Sequence, residues 1–207
     1  MNRKTPYKKL KRLFDIFFSF IGLVLCLPIF IVIPILIKVD SKGPVFFGQM
    51  RIGRDFNHFR LYKFRTMAED ASKNGPYVTA GDDPRITKIG KFLRRTKIDE
   101  LPQLWNVLKG DMSFVGPRPL VEEQVLCFQK DYKEIFKIRP GITDYATIAF
   151  RNEEEILRKC NSNDVERIYI EQILPQKIEL CKKYLKEMGF LTDIKIILKT
   201  LLVIIRY

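Results

Sequence analysis

The sequence predicts an α+β protein in which a re-entrant membrane helix at the N-terminus is joined to a small β-hairpin, amphipathic interfacial helices and a compact domain on the cytoplasmic side. Three observations point there. Residues 13–37 form an apolar run broken only by Asp15 and Ser19, and they carry Pro28 and Pro34. Two aromatic and β-branched segments flank the polar stretch Gly53-Arg54-Asp55. Between residues 97 and 119 lies a dense set of polar, proline and glycine residues with two adjacent carboxylates and an Arg between prolines.

The apolar run is the first element. At about 1.5 Å per residue a continuous helix over it would reach about 37 Å, enough for a hydrocarbon core of about 30 Å. Its flanks argue against a single crossing, since Lys8, Lys9, Lys11 and Arg12 precede it and Lys38 and Lys42 follow. Basic flanks favour the cytoplasmic side, so both ends belong there. Pro28 lacks an N–H and clashes with the preceding turn, which predicts a bend in mid-run. The run is too long for a signal peptide and no small-residue cleavage site follows it. Asp15, three residues after Arg12, is expected to pair with it on one helical face. The chain divides into a membrane element, residues 1–40, and a second domain, residues 41–207.

The second element is a hairpin, with Pro44-Val45-Phe46-Phe47-Gly48-Gln49 and Phe59-Arg60-Leu61-Tyr62-Lys63-Phe64 as its strands. Lys63 and Arg65 close the second strand within reach of an anionic ligand. Residues 74–84 hold Gly75, Pro76, Gly81, Asp82, Asp83 and Pro84, a turn-forming composition in which both Asp residues read as solvated.

The third element carries the chemistry. Thr96 or Asp99 is expected to cap a helix, Pro102 to sit in its first turn and Gly110 to end it. Asp99 and Glu100 then lie at the positive end of a helix dipole, where anions are favoured. Acidic first turns are common, but this one follows Lys88-Ile89-Gly90-Lys91-Phe92-Leu93-Arg94-Arg95 and precedes Gly116-Pro117-Arg118-Pro119. An ionised Asp can attack phosphorus, and two carboxylates facing a diphosphate require a divalent cation and nearby Arg to offset their repulsion.

Composition narrows the partners. The chain has 207 residues, 46% hydrophobic, and 37 basic against 24 acidic residues give a net charge of +13. That is enough chain for one domain with a real core. The charge implies an anionic partner such as a lipid surface, a nucleotide or nucleic acid. The apolar N-terminal run favours membrane, and no zinc-finger spacing or RNA-recognition motif favours nucleic acid. Cys26, Cys127, Cys160 and Cys181 are widely spaced and His58 stands alone, which argues against a zinc site and for free thiols.

Five segments together resemble the bacterial monotopic phosphoglycosyl transferases, the sugar transferases that start glycan assembly on a polyprenyl phosphate. They are Lys11-Arg12-Leu13-Phe14-Asp15, Tyr62-Lys63-Phe64-Arg65-Thr66-Met67, the Asp99-Glu100 segment, residues 110–119 and Arg139-Pro140-Gly141-Ile142-Thr143. The resemblance implies an enzyme of the polysaccharide- or lipopolysaccharide-initiating class at the cytoplasmic face of the bacterial inner membrane. It would move a sugar-1-phosphate from a UDP-sugar to undecaprenyl phosphate through an aspartyl-phosphosugar and release UMP. Asp99 is then the nucleophile and Glu100 the ligand of Mg²⁺. Arg118, set between Pro117 and Pro119, grips the phosphosugar, and Lys63, Arg65, Arg94 and Arg151 add charge toward the substrate. A mobile loop is implied near residues 74–84. The chain departs from the family pattern at two places. Leu27-Pro28 replaces the usual Ser-Pro at the membrane bend, and Asp144-Tyr145-Ala146-Thr147 replaces Gly-Trp-Ala-Gln, which bears on the uridine pocket and sugar preference.

Beyond these motifs, residues 121–137 read as one amphipathic helix and residues 153–155 as a helix start. Residues 164–188 read as a charged helix interrupted at Pro175. Residues 190–207 read as an apolar helix lying flat in the interface, with Lys195 and Lys199 turned to lipid phosphates. Two other classes would explain part of the pattern. A nonenzymatic basic membrane adaptor accounts for the charge and the amphipathic ends, and a nucleic-acid binder for the charge alone.

Overall fold

The computed structural model describes residues 4–69, 83–158, 160 and 164–205. It is mostly helical, with two small sheets. Helix α1 (Lys4–Leu25) and helix α2 (Leu27–Asp40) meet at Cys26 with a bend of 58°. Pro28 is the second residue of α2, where its missing N–H breaks the hydrogen-bond ladder of the run. The helical bonding otherwise continues through the corner, from Cys26 N to Gly22 O at 2.9 Å and from Phe30 N to Cys26 O at 3.0 Å. Among the described residues no single helix is long and apolar enough to cross a membrane, whereas the bent pair is, by length and composition.

Both helices leave apolar faces in the open, including Leu13, Phe17, Phe20 and Leu25 on α1 and Ile31, Val32, Ile35 and Val39 on α2. Ile33 and Ile37 on the other face of α2 pack with Phe64 and Leu93. Patches of this kind mark a partner or a membrane rather than water. The expected Arg12–Asp15 pair does not form as the main contact of either group. Arg12 donates to Val107 O at 2.6 Å and Leu108 O at 2.8 Å, while Asp15 accepts from Ser113 Oγ and Phe114 N, both at 3.1 Å. Each finds main-chain or hydroxyl partners across the fold, which satisfies it without using the same helical face.

Strands β1 (Phe46–Ile52) and β2 (His58–Phe64) form the expected antiparallel hairpin, with Phe46 opposite Phe64 and Ile52 opposite His58. Phe59 and Leu61 alternate onto one face and join Val107 and Met112 in a buried cluster. Helix α3 (Lys88–Thr96), capped by Thr87 Oγ1 accepting from Gly90 N, packs against the chain just after β2. A Cβ on Gly90 would lie 2.0 Å from Thr66 O, so only glycine permits this approach. Helix α4 (Gln103–Lys109) ends at Gly110, whose φ of 102° is the left-handed stop read from the sequence.

A second sheet, not foreseen, pairs β3 (Ser113–Val115) with β4 (Gly141–Thr143) in parallel. Two residue pairs are too short a signal for periodicity to reveal. The single helix expected over 121–137 is two, α5 (Glu122–Cys127) and α6 (Gln129–Ile135), divided where Phe128 leaves helical geometry. Helix α7 (Tyr145–Ala149) and helix α8 (Glu153–Arg158) follow.

The helical stretch is interrupted next to Pro175, as a π-turn and not a full break. Helix α9 (Val165–Ile168) passes through a π-turn (Tyr169–Ile173) into α10 (Leu174–Glu187), and Pro175 sits in the first turn of α10, where no N–H is required. Helix α11 (Phe190–Ile205) closes the fold. Its Asp193 accepts from Tyr7 at 2.7 Å, Lys11 at 2.6 Å and Tyr184 at 2.7 Å, binding α1, α10 and α11 together. The four cysteines are free.

Candidate active site

The site begins with two backbone reversals. Lys97, at φ 59°, ends α3 in the left-handed region and turns the chain into a 3₁₀ turn (Ile98–Glu100) that runs on toward α4. The expected cap is not there. Thr96 Oγ1 bonds back to Phe92 O and Leu93 O inside α3, and no side chain caps the 3₁₀ turn or α4. Asp99 and Glu100 therefore precede α4 rather than opening it, and the charges facing them come from side chains.

Asn106, fully buried in α4, positions the first of these. Its Oδ1 accepts from Tyr62 N at 3.1 Å and its Nδ2 donates to Arg60 O at 2.8 Å, which pins β2 beside α4. Lys63, next along β2, then stands 2.8 Å from Glu100 Oε1 and 3.7 Å from Asp99 Oδ2. Arg118 stands 2.7 Å from the same Glu100 oxygen. Its loop is set by a close backbone approach, because Gly141 N donates to Pro117 O at 3.0 Å and a Cβ on Gly116 would meet Arg139 O at 2.5 Å.

The two carboxylates are driven apart electrostatically. Burial pushes the Asp99 carboxyl up, with Lys63 opposing and the Glu100 charge reinforcing the rise. Burial acts on Glu100 too, but Arg118 and Lys63 outweigh it and hold that carboxyl well below its usual range. Asp99 is 5% exposed, and its Oδ1 has no hydrogen-bond partner in the fold. One carboxylate is held by two cations, and the other keeps an oxygen without a partner.

A magnesium ion suits this chemistry in one form only. Among the described residues no group of three or more His, Cys, Asp or Glu could cage a metal. Mg²⁺ characteristically takes one or two carboxylates and completes its shell with water and substrate phosphate, and Glu100 beside a bound diphosphate fits that donor set.

Residues 6–207 match the family described as bacterial sugar transferase. The chain belongs to the bacterial sugar transferase family. It is 48% identical over 144 residues to a provisionally named undecaprenyl-phosphate N-acetylgalactosaminyl 1-phosphate transferase of Bacillus subtilis strain 168, an alignment covering 69% of this chain and 76% of that one. It is 38% identical over 197 residues to the UDP-glucose:undecaprenyl-phosphate glucose-1-phosphate transferase of Escherichia coli K12, covering 92% and 39%. An exopolysaccharide production protein of Rhizobium leguminosarum is 45% identical over 148 residues, covering 66% and 72%. The chain thus spans about three quarters of its shorter relatives and about two fifths of the longer one.

Within this bacterial sugar transferase, Asp99, Glu100, Lys63 and Arg118 converge as the sequence motifs suggest. Arg94 borders them, its charge acting on Asp99 while its guanidinium donates to Thr66 Oγ1 at 3.1 Å and pairs with Glu154 at 3.3 Å. Arg65 is a correction. It turns away to donate to Ser41 O, Ser41 Oγ and Lys42 O, tying the chain after α2 to the end of the hairpin. Strand alternation puts Lys63 and Arg65 on one face only while the strand lasts, and it ends at Phe64. Arg151 lies half-buried between α7 and α8. Pro119 O accepts from Arg51 Nη1 at 3.4 Å.

Arg51 itself went unread. Burial and the like charge of Arg118 push it down to about 10, and it adds a further cation beside the Arg118 loop. A lone Arg in a strand of a basic protein carries no sequence signal. Asp83 pairs with Arg85 at 2.6 Å, while Asp82 and most of the loop expected over 74–84 lie outside the described residues. Asp144, in the segment that departs from the family pattern, caps α7 by accepting from Thr147 N at 2.6 Å and Thr147 Oγ1 at 2.8 Å, a structural use of that position.

Proposed function

We propose that this protein is a phosphoglycosyl transferase that moves a sugar-1-phosphate from a UDP-sugar to a polyprenyl phosphate at a membrane surface. The observation that carries the reading is the free, buried Oδ1 of Asp99 beside a Glu100 held by Lys63 and Arg118. The relatives' names supply the donor and acceptor classes.

Asp99 Oδ1 attacks the β-phosphorus of the donor. The bond from that phosphorus to the oxygen bridging to the α-phosphate breaks, and its electron pair leaves with UMP. A phosphate oxygen of the acceptor then attacks the same phosphorus, the bond to Asp99 breaks, and a polyprenyl diphosphate sugar departs. Splitting the transfer lets a soluble donor and a lipid acceptor use the site in turn.

Burial favours the attack, because a poorly solvated carboxylate is the more basic and more reactive one. Lys63 and Arg118 offset the repulsion between the dyad and the diphosphate, and the Arg118 guanidinium fork matches phosphate oxygens in pairs. Glu100 would hold Mg²⁺, which would supply Lewis acidity to the phosphoryl oxygens and the leaving phosphate. The open faces of α1, α2 and α11 suit insertion of the bent pair from the cytoplasmic side, with residues 41–207 as the catalytic domain.

The test is UMP release from a panel of UDP-sugars by detergent-purified protein with Mg²⁺. Acceptor-dependent polyprenyl diphosphate sugar from one donor supports the reading and names the sugar. An absence of UMP and product with every UDP-sugar contradicts it.

A further inference from the structure

A cavity of about 120 Å³ lies at the N-terminal foot of α1, and no residue of the Asp99–Glu100 site borders it. It is several times the roughly 10–15 Å³ needed to hold one water. Six cations line it: Lys8, Lys11 and Arg12 from α1, Arg54 from the hairpin turn, and Lys137 and Arg139 from the chain before β4. Asp15 is the one carboxylate among the lining residues, and its Oδ1 is taken by Ser113 and Phe114.

Two of the six are neutralised, Lys11 by Asp193 at 2.6 Å and Arg54 by Asp55 at 3.1 Å. Arg12 and Arg139 donate to the uncharged carbonyls of Val107, Leu108 and Gly110, which steadies the end of α4 and leaves their charge intact. That structural duty accounts for these two. It does not extend to Lys8 and Lys137, which stand exposed at the rim of the cavity with no carboxylate partner among the described residues. Like charges gathered at a cavity repel one another, and Arg139 registers it: burial first, then Arg54 and Arg12, press its charge down. The dyad precedes the first residue of α4, whereas Arg12 and Arg139 of the cavity lining bind carbonyls at its far end.

We propose that this cavity is a second anion site, separate from the dyad, which binds a phosphate group carried either by a membrane lipid or by a soluble phosphate. Two guanidinium groups and two unpaired ammonium groups match a tetrahedral oxyanion better than a planar carboxylate. The site lies beside the basic end of α1, at the level where the bent pair would enter lipid.

The experiment compares Lys137→Glu with Lys133→Glu, an equal charge change at an exposed position on α6 that does not line the cavity. Both are made in Arg118→Gln protein so that the dyad's own phosphate contacts are weakened throughout. In neutral detergent, inorganic phosphate is titrated against chloride at constant ionic strength and the thermal midpoint is followed, because a ligand of the folded state raises it. In nanodiscs, phosphatidylglycerol is compared with phosphatidylcholine in the same way. Half-saturation weakened about tenfold by Lys137→Glu, and less than about twofold by Lys133→Glu, supports the site. The effect in detergent identifies soluble phosphate as the source, and the effect only in nanodiscs identifies a lipid headgroup. Equal responses of the two variants in both settings, or no response in either, overturn the proposal.

Discussion

At the scale of single residues, the dyad makes two opposite predictions for two neighbouring acids. Asp99 is buried with Oδ1 unpartnered and its carboxyl is pushed up, so ionising it costs the folded state. Stability from this group is full below the unfolded carboxylate value and falls as pH rises through the raised folded value. Asp99→Asn is therefore expected to unfold about 1–2 °C or more higher at neutral pH, with the difference vanishing in acid, while turnover drops by about three orders of magnitude or more. Glu100 is held down, so its contribution is present above the unfolded value and lost as pH falls through the depressed one. Glu100→Gln strands Lys63 and Arg118 and is expected to destabilise by about 2 kcal/mol at neutral pH, measured by denaturant titration. The acid limb of kcat/KM is expected above the ordinary Asp value of about 4, since Asp99 must ionise to attack. Lys63, Arg118 and the dyad were legible because each sits in a motif whose residue types already suggest phosphate chemistry. Arg65 was assigned toward the substrate by the resemblance, and its tie to Ser41 and Lys42 exists only once the chain after α2 lies beside the end of the hairpin. Asn106 carries no sequence signal for its role, since the clamp on Tyr62 and Arg60 exists only once β2 and α4 are side by side.

At the scale of elements, glycine and proline mark where the backbone is committed. Gly116→Ala places a methyl group 2.5 Å from Arg139 O and 3.0 Å from Gly141 N, so the loop carrying Arg118 must move. Turnover is expected to fall by about tenfold to a hundredfold with the dyad chemically intact, because small displacements of a positioning group are costly. Kinetics at saturating and limiting donor would show both kcat and KM affected. The bend between α1 and α2 was readable from Pro28 and the basic flanks, and the stop of α4 from Gly110. The pairing of β3 with β4 was not, because two bridging positions leave no pattern. The π-turn sits where Pro175 supplies no N–H to the ladder, whereas the division at Phe128 has no marker in the sequence.

At the scale of the whole molecule, the open apolar faces of α1, α2 and α11 set the account's expectation for the membrane. Washing membranes at high salt is expected to leave the protein bound and detergent to release it, since screening weakens ionic contacts and not apolar burial. Cysteines introduced by Lys8→Cys and Lys42→Cys are expected to react from the same side, and Pro28→Ala to move one of them across by restoring a straight helix. The central claim concerns the carboxylate the fold leaves free. Purified protein is incubated with a competent UDP-sugar and Mg²⁺ but no acceptor, and the peptide containing Asp99 is weighed by mass spectrometry. A sugar-phosphate adduct on Asp99, formed with a stoichiometric burst of UMP and lost on adding polyprenyl phosphate, is the predicted result. Product formation with no adduct at any time, or retained turnover in Asp99→Asn, would contradict it.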